Sequence, residues 1–234
     1  SIAHRISSVA CQQNPARQLP ERPRLRSNYC QGPQERTSHN QPNAYDDYVA
    51  CFTDGTKIQT KFGLVEIADI AVGDGVMTLE NGVQEILWVG KTTVRGTGRL
   101  APICFAPGAI GNSSELRLSP NHRVYVSNPM VQLYFGSEAA LIAAKSLVDD
   151  KDITIQEVEE VTYYHILTAQ HDIVFANGAP TETLFLGAQG QHAIGADAKT
   201  EIQTLFPELF ETSHEMSTAL PCLRSHEAAL LGEK

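Results

Sequence analysis

Residues 49–187 are predicted to form an all-β domain. Short apolar runs recur there between Gly, Asn and Pro, the pattern of a sandwich or barrel. Asn81-Gly82, the strongest short hairpin signal, lies between two such runs. A second pair of runs, Thr162–Thr168 and Asp172–Ala176, reads as another hairpin and ends at Asn177-Gly178.

Gly55-Thr56 turns the chain into the alternating stretch Lys57–Thr60. Gly75–Leu79 and Val83–Val89 flank Asn81-Gly82 as hairpin strands. Leu116–Leu118 and Arg123–Val126 bracket Ser119-Pro120-Asn121-His122, which places a histidine at a strand junction. One short helical turn is expected at Ala143–Val148.

The flanks differ from this body. Residues 1–48, dominated by Gln, Asn, Pro, Ser and Arg, read as a disordered leader or linker, because too little apolar surface is present to offset ordering entropy. Residues 188–234 read as a short helical C-terminal extension. Ile202, Leu205, Phe206 and Leu209 mark one amphipathic stripe, which Pro207 stops near Phe206. A final helix is expected to open at Ser225 as its cap and to end at Leu231. Gly187, Gly190 and Gly195 lack the spacing and preceding strand of a phosphate loop.

Charge narrows the partners. Of a net −9, residues 1–50 contribute about +2, from six Arg against four acidic residues, and the remainder carries −11. An acidic body argues against nucleic acid. No run approaches the length of a membrane span and the N-terminus lacks the apolar core of a signal peptide, so a soluble chain, without a membrane partner, is expected. If it is secreted, that occurs without an N-terminal signal peptide. The cysteines at 11, 30, 51, 104 and 222 form neither a disulfide framework nor C-x-x-C metal spacing, which leaves the compartment open.

The chemistry centres on Cys51, in Ala50-Cys51-Phe52-Thr53-Asp54-Gly55-Thr56-Lys57-Ile58. A buried cysteine is commonly a small hydrophobe. This one stands where the leader meets the β domain, where a thiol can attack the carbonyl of the residue before it. Such an attack needs a proton donor at the leaving nitrogen, a role that contributes ~10²–10⁴-fold. His122 is the best candidate, with Ser119 three residues earlier placed to hold the same amide. His165 and His171 lie six residues apart, which the ordinary reading takes as one packed and one solvated histidine. Without a third ligand at useful spacing they do not make a zinc site, and no cofactor is implied.

These residues together resemble the Hint domain, the self-processing module of hedgehog C-terminal regions and inteins, and most of all its bacterial non-intein type. Cys51-Phe52-x-x-Gly55-Thr56-x-Ile58 with Val65-Glu66-Ile67 and Val72-Gly73-Asp74-x-Val76 resembles the family's opening block. Leu118-Ser119-Pro120-Asn121-His122-Arg123-Val124 resembles its Thr-x-x-His block, with Ser for Thr. Tyr164-His165-Ile166 and His171-Asp172-Ile173-Val174-Phe175-Ala176-Asn177-Gly178 resemble its closing block. The resemblance implies a compact, pseudo-twofold, horseshoe-shaped β fold and a single-turnover N–S acyl shift at Cys51. His122 would then protonate the Ala50–Cys51 amide, Ser119 would assist, and His165 or His171 would tune the thiol.

Departures from the family pattern limit the outcome. No His precedes Asn177 and no Cys, Ser or Thr follows it, so complete splicing is not expected. Glu85 is the only acidic residue between Asn81 and Ser114, which leaves sterol transfer without its activating acid. The expected activity is cleavage before Cys51 by a monomeric chain acting on its own upstream polypeptide, with water or a small nucleophile as acceptor. The alternative is an inert Hint fold with a structural or secretion-associated role. A cysteine hydrolase acting in trans is a third and weaker reading.

Overall fold

A computed structural model describes residues 50–186, 199–200, 203–204 and 217–231 of the 234-residue chain. Its strands in chain order are β1 (Phe52–Thr53), β2 (Lys57–Thr60), β3 (Gly63–Glu66), β4 (Gly75–Met77), β5 (Val83–Glu85), β6 (Trp88–Gly96), β7 (Ile103–Phe105), β8 (Leu116–Leu118), β9 (Arg123–Val126), β10 (Ala140–Ala143), β11 (Ile153–Ile155), β12 (Val158–Leu167), β13 (Ile173–Ala176), β14 (Ala179–Glu182) and β15 (Cys222–Leu223). The helices are short: α1 (Pro129–Phe135) and α2 (Ser225–Ala229). The all-β expectation holds.

Among the described residues the strands form two sheets. One runs β11-β7-β8-β1-β12-β6. The other runs β15-β10-β9-β14-β13-β2-β4-β5, with β3 added beside β2. Phe52, Ile58, Ile67, Val76, Ile103, Phe105, Leu116, Leu118, Val124, Ile166 and Val174 share one buried cluster drawn from both sheets. Burial of side chains of this size contributes ~1.5–3 kcal/mol each.

The Asn81-Gly82 hairpin forms, with Gly75 opposite Glu85 and Met77 opposite Val83. Gly82 has φ 65°, the left-handed conformation that such turns demand. The strand expected over Val83–Val89 is, however, two strands in different sheets. The chain crosses between sheets at Ile86-Leu87, where Ile86 N–H donates to Asp74 O (2.9 Å) and Leu87 N–H to Leu167 O (2.8 Å).

The second expected hairpin does not form. β12 pairs with β6 and β1, whereas β13 pairs with β14 and β2. Asn177-Gly178 instead turns β13 into β14, with φ 47° and 87°. The helical turn expected near residue 143 appears as a 3₁₀ turn at Ala144–Leu147. Helix α1 was not anticipated; Asn128 Oδ1 caps it by accepting from Met130 N–H (2.9 Å), Pro129 opens it, and Gly136 at φ 70° closes it.

The stripe Ile202, Leu205, Phe206 and Leu209 lies outside the described residues, as do the leader over 1–48 and Gly187, Gly190 and Gly195. The last helix forms at Ser225–Ala229, but its cap is Arg224 rather than Ser225. Glu227 reaches back to accept from Arg224 N–H (2.7 Å), while the Ser225 hydroxyl meets Ser146 Oγ (2.9 Å). Strand β15 runs parallel to β10, with Leu223 opposite Ile142. No helix among the described residues is long and apolar enough to cross a membrane.

Candidate active site

Strand register assembles the site. Phe52 in β1 lies opposite Leu118 of β8 on one side and Tyr164 of β12 on the other, both antiparallel. One residue back along β1, the same register brings Cys51 beside Ser119 and His165. Both contacts are present. The Cys51 N–H donates to Ser119 Oγ (3.1 Å) and Ser119 N–H donates to Cys51 O (3.0 Å). His165 Nε2 lies 3.9 Å from Cys51 Sγ, and its Nδ1 lies 2.9 Å from Ala50 O. The tautomer with hydrogen on Nδ1 satisfies both: it donates to the carbonyl and leaves the Nε2 lone pair facing the thiol.

His122 arrives through a tight turn. His122 N–H donates to Ser119 O (3.1 Å), with Pro120 at the position where fixed φ favours the turn. The 3₁₀ turn clamps it: Ala144 N–H donates to His122 O (2.8 Å) and Lys145 N–H to Pro120 O (2.9 Å). The imidazole is fully buried, packs edge-on to Phe52 at 4.6 Å between ring centres, and lies near the Cys51 backbone. Neither ring nitrogen makes a hydrogen bond of proper distance and angle.

Burial sets the protonation states. Cys51 packs with Trp88, Tyr163, Leu167, Leu184 and Leu186. Gly90 is needed beside this cluster, because a Cβ there would come within 2.0 Å of the Trp88 ring. Desolvation pushes the Cys51 thiol up to about 12, against a lowering by the Ser119 hydroxyl. Desolvation also brings His122 down to about 4, opposed first by the Glu182 carboxylate. His165 is lowered by burial, with the Ala50 carbonyl opposing. The resting site is therefore a thiol with two neutral imidazoles.

Four of the five residues singled out from the sequence thus converge: Cys51, Ser119, His122 and His165. His171 belongs to a different contact set. Its Nε2 meets Glu182 Oε2 (3.1 Å) and its Nδ1 accepts from Ala219 N–H (3.0 Å). Far from being solvated, it is 2% exposed.

Glu182 went unnoticed in the sequence. Its one signal was isolation, since no other Asp, Glu, Lys or Arg lies between Asp172 and Asp197. A lone charge in such a run points to a buried, paired carboxylate. Among the described residues, no cluster of three or more His, Cys, Asp or Glu is arranged to hold a metal ion.

Residues 50–188 match the family model described as the Hint domain. That span is more than half of the chain, and the chain belongs to the Hint domain family, a self-splicing and self-processing class. Among solved structures it is similar to a bacterial intein-like domain from Clostridium thermocellum, at 17% identity, a TM-score of 0.41, and coverage of 57% of this chain and 98% of that one. It is also similar to a DnaB intein from Synechocystis sp. PCC 6803, at 10% identity, a TM-score of 0.40, and coverage of 58% and 99%. No curated protein matches the chain.

Proposed function

We propose that this chain cleaves itself before Cys51, through a thioester formed by an N–S acyl shift. The observation that carries the reading is the double reach of His165, with Nδ1 2.9 Å from the Ala50 carbonyl oxygen and Nε2 3.9 Å from the Cys51 sulfur. One neutral ring can take the thiol proton and donate to the carbonyl that the sulfur attacks.

Sγ adds to the Ala50 carbonyl carbon while its proton leaves to His165 Nε2. Negative charge gathers on the Ala50 oxygen beside Nδ1–H. The thiol proton passes from His165 to His122, and the carbon–nitrogen bond breaks as the His122 imidazolium delivers it to the nitrogen, which the Ser119 hydroxyl holds in line. One proton has moved from sulfur to nitrogen once both rings are neutral again. A thioester at Ala50 and a free α-amino group on Cys51 result. Water or a small thiol or amine then attacks the thioester and releases the upstream segment. Nucleophile and carbonyl belong to adjacent residues, so no encounter step is needed.

In this reading residues 49–187 are the processing domain, whose first two residues leave with the 1–48 segment when the Ala50–Cys51 bond is cut, and 188–234 are an extension of the domain. Release rather than splicing is the outcome, because Asn177 is committed to the β13–β14 turn. Its Oδ1 accepts from Lys57 N–H (2.7 Å) and its Nδ2 donates to Glu115 O (2.7 Å). An inert structural domain is the competing reading, favoured by a resting thiol held at about 12. Incubation with dithiothreitol separates the two. The parent should split between Ala50 and Cys51, and Cys51→Ala should stay whole with an unchanged circular dichroism spectrum. A parent that remains intact, or a Cys51→Ala chain that splits, overturns the proposal.

A further inference from the structure

Glu182 closes β14, which pairs with β9 with Thr181 opposite Val124. That register sets Glu182 beside Arg123. Glu182 Oε1 accepts from Arg123 N–H (2.8 Å), and Oε2 meets Arg123 Nη1 (3.2 Å) and His171 Nε2 (3.1 Å). His171 Nδ1 accepts from Ala219 N–H, so its hydrogen sits on Nε2 and a neutral ring donates to Glu182. The carboxylate is thus gripped from three sides, and its side chain is 2% exposed.

The amide that Glu182 holds belongs to the peptide bond that follows His122. The carboxylate therefore anchors the backbone carrying the buried imidazole assigned above as the acid, and that ring also lies near the Cys51 and Glu182 backbones. Other groups also act electrostatically on this pair: His165 disfavours charge on His122, His171 and Arg123 favour ionised Glu182, and Cys222 lies within reach of both Arg123 and Glu182. Glu182 also disfavours the Cys51 thiolate, as the last of that thiol's three influences after burial and the Ser119 hydroxyl. Arg123 does not cancel the carboxylate at His122, because Glu182 still favours the protonated imidazole there.

We propose that Glu182 is a positioning residue for the acyl shift: it fixes the His122 backbone and supplies the counter-charge for the imidazolium that protonates the leaving nitrogen. This rests on His122 acting as the acid. When His122 takes up a proton inside an apolar wall, a nearby fixed carboxylate offsets part of the lost hydration. Each decade by which the imidazole's affinity for a proton falls costs about tenfold in the reactive form.

The test has one arm in cleavage and one independent of it. Thiol-induced release is timed for the parent, Glu182→Gln, Glu182→Asp and Thr181→Val. Gln should slow release roughly ten- to a hundredfold. Asp, which keeps the charge, should slow it less. Thr181→Val should match the parent, because the Thr181 hydroxyl has no partner. In the cleavage-blocked Cys51→Ala chain, NMR titration should show His122 taking up its proton at lower pH with Gln at 182 than with Glu. That shift is one a structural strut would not produce, and it can be read even if the parent never cleaves. Gln releasing at the parent rate, or slowing release with the His122 titration unmoved, overturns the proposal. Should Glu182→Gln not fold, the Asp variant decides alone: a loss as deep as that of His122→Ala, with the charge retained, removes the electrostatic role.

Discussion

The pH dependence of release follows from the two buried groups flanking the Ala50–Cys51 bond. Sulfur attacks as thiolate, and nitrogen leaves once it is protonated. The reactive form thus pairs a Cys51 thiolate with a His122 imidazolium. It holds the same number of protons as the resting pair of thiol and neutral imidazole. With the thiol at about 12 and the imidazole at about 4, its population is about 10⁻⁸, a cost of ~11 kcal/mol, and it does not vary with pH between those limits. Release should therefore be flat across the neutral range, measured by intact mass at nucleophile concentrations where the rate has saturated. His122→Gln removes the acid and leaves only the thiolate requirement. The rate should drop by ~10²–10⁴-fold and acquire a tenfold rise per pH unit. A parent that already rises tenfold per unit, or a His122→Gln chain with a flat profile, refutes the shared-proton reasoning.

His165→Ala removes both the thiol's base and the donor to the Ala50 oxygen, so release should slow by at least ~10²-fold in the same assay. Asn177→Ala should leave release at the parent rate and lower stability by ~2–3 kcal/mol in urea denaturation. The substitution frees two part-buried backbone partners and puts Ala, which tolerates the left-handed region less well than Asn, at φ 47°. A product ending in a C-terminal succinimide at Asn177 would show instead that this side chain is chemically active.

What the sequence revealed was local. Cys51, Ser119 and His122 carry their signals within a few residues: a thiol before a turn, and a Ser-Pro-Asn-His turn between strands. Asn81-Gly82 fixed its hairpin because the left-handed turn needs that dipeptide. Pairing between distant strands was not legible. Val83–Val89 reads as one strand because apolar residues continue through Ile86 and Leu87, although the chain changes sheet there. Thr162–Thr168 and Asp172–Ala176 are adjacent in sequence and have strand-like composition, yet β6 and β14 supply the better partners. Glu182 stayed hidden for a related reason. Its burial depends on Arg123 and His171, and only the β9–β14 register brings Arg123 to it. Which of His165 and His171 lies beside Cys51 is equally non-local, set by the pairing of Phe52 with Tyr164.

The thioester at Ala50 is the central claim, and hydroxylamine trapping tests it most directly. The full chain is incubated with neutral hydroxylamine, which attacks thioesters far faster than amides, and the products are weighed by mass spectrometry. The account predicts an upstream fragment ending in an Ala50 hydroxamate and a second fragment beginning with Cys51. Both should be absent from Cys51→Ala. An intact Ala50–Cys51 bond in the parent, or the same two fragments from Cys51→Ala, would contradict it.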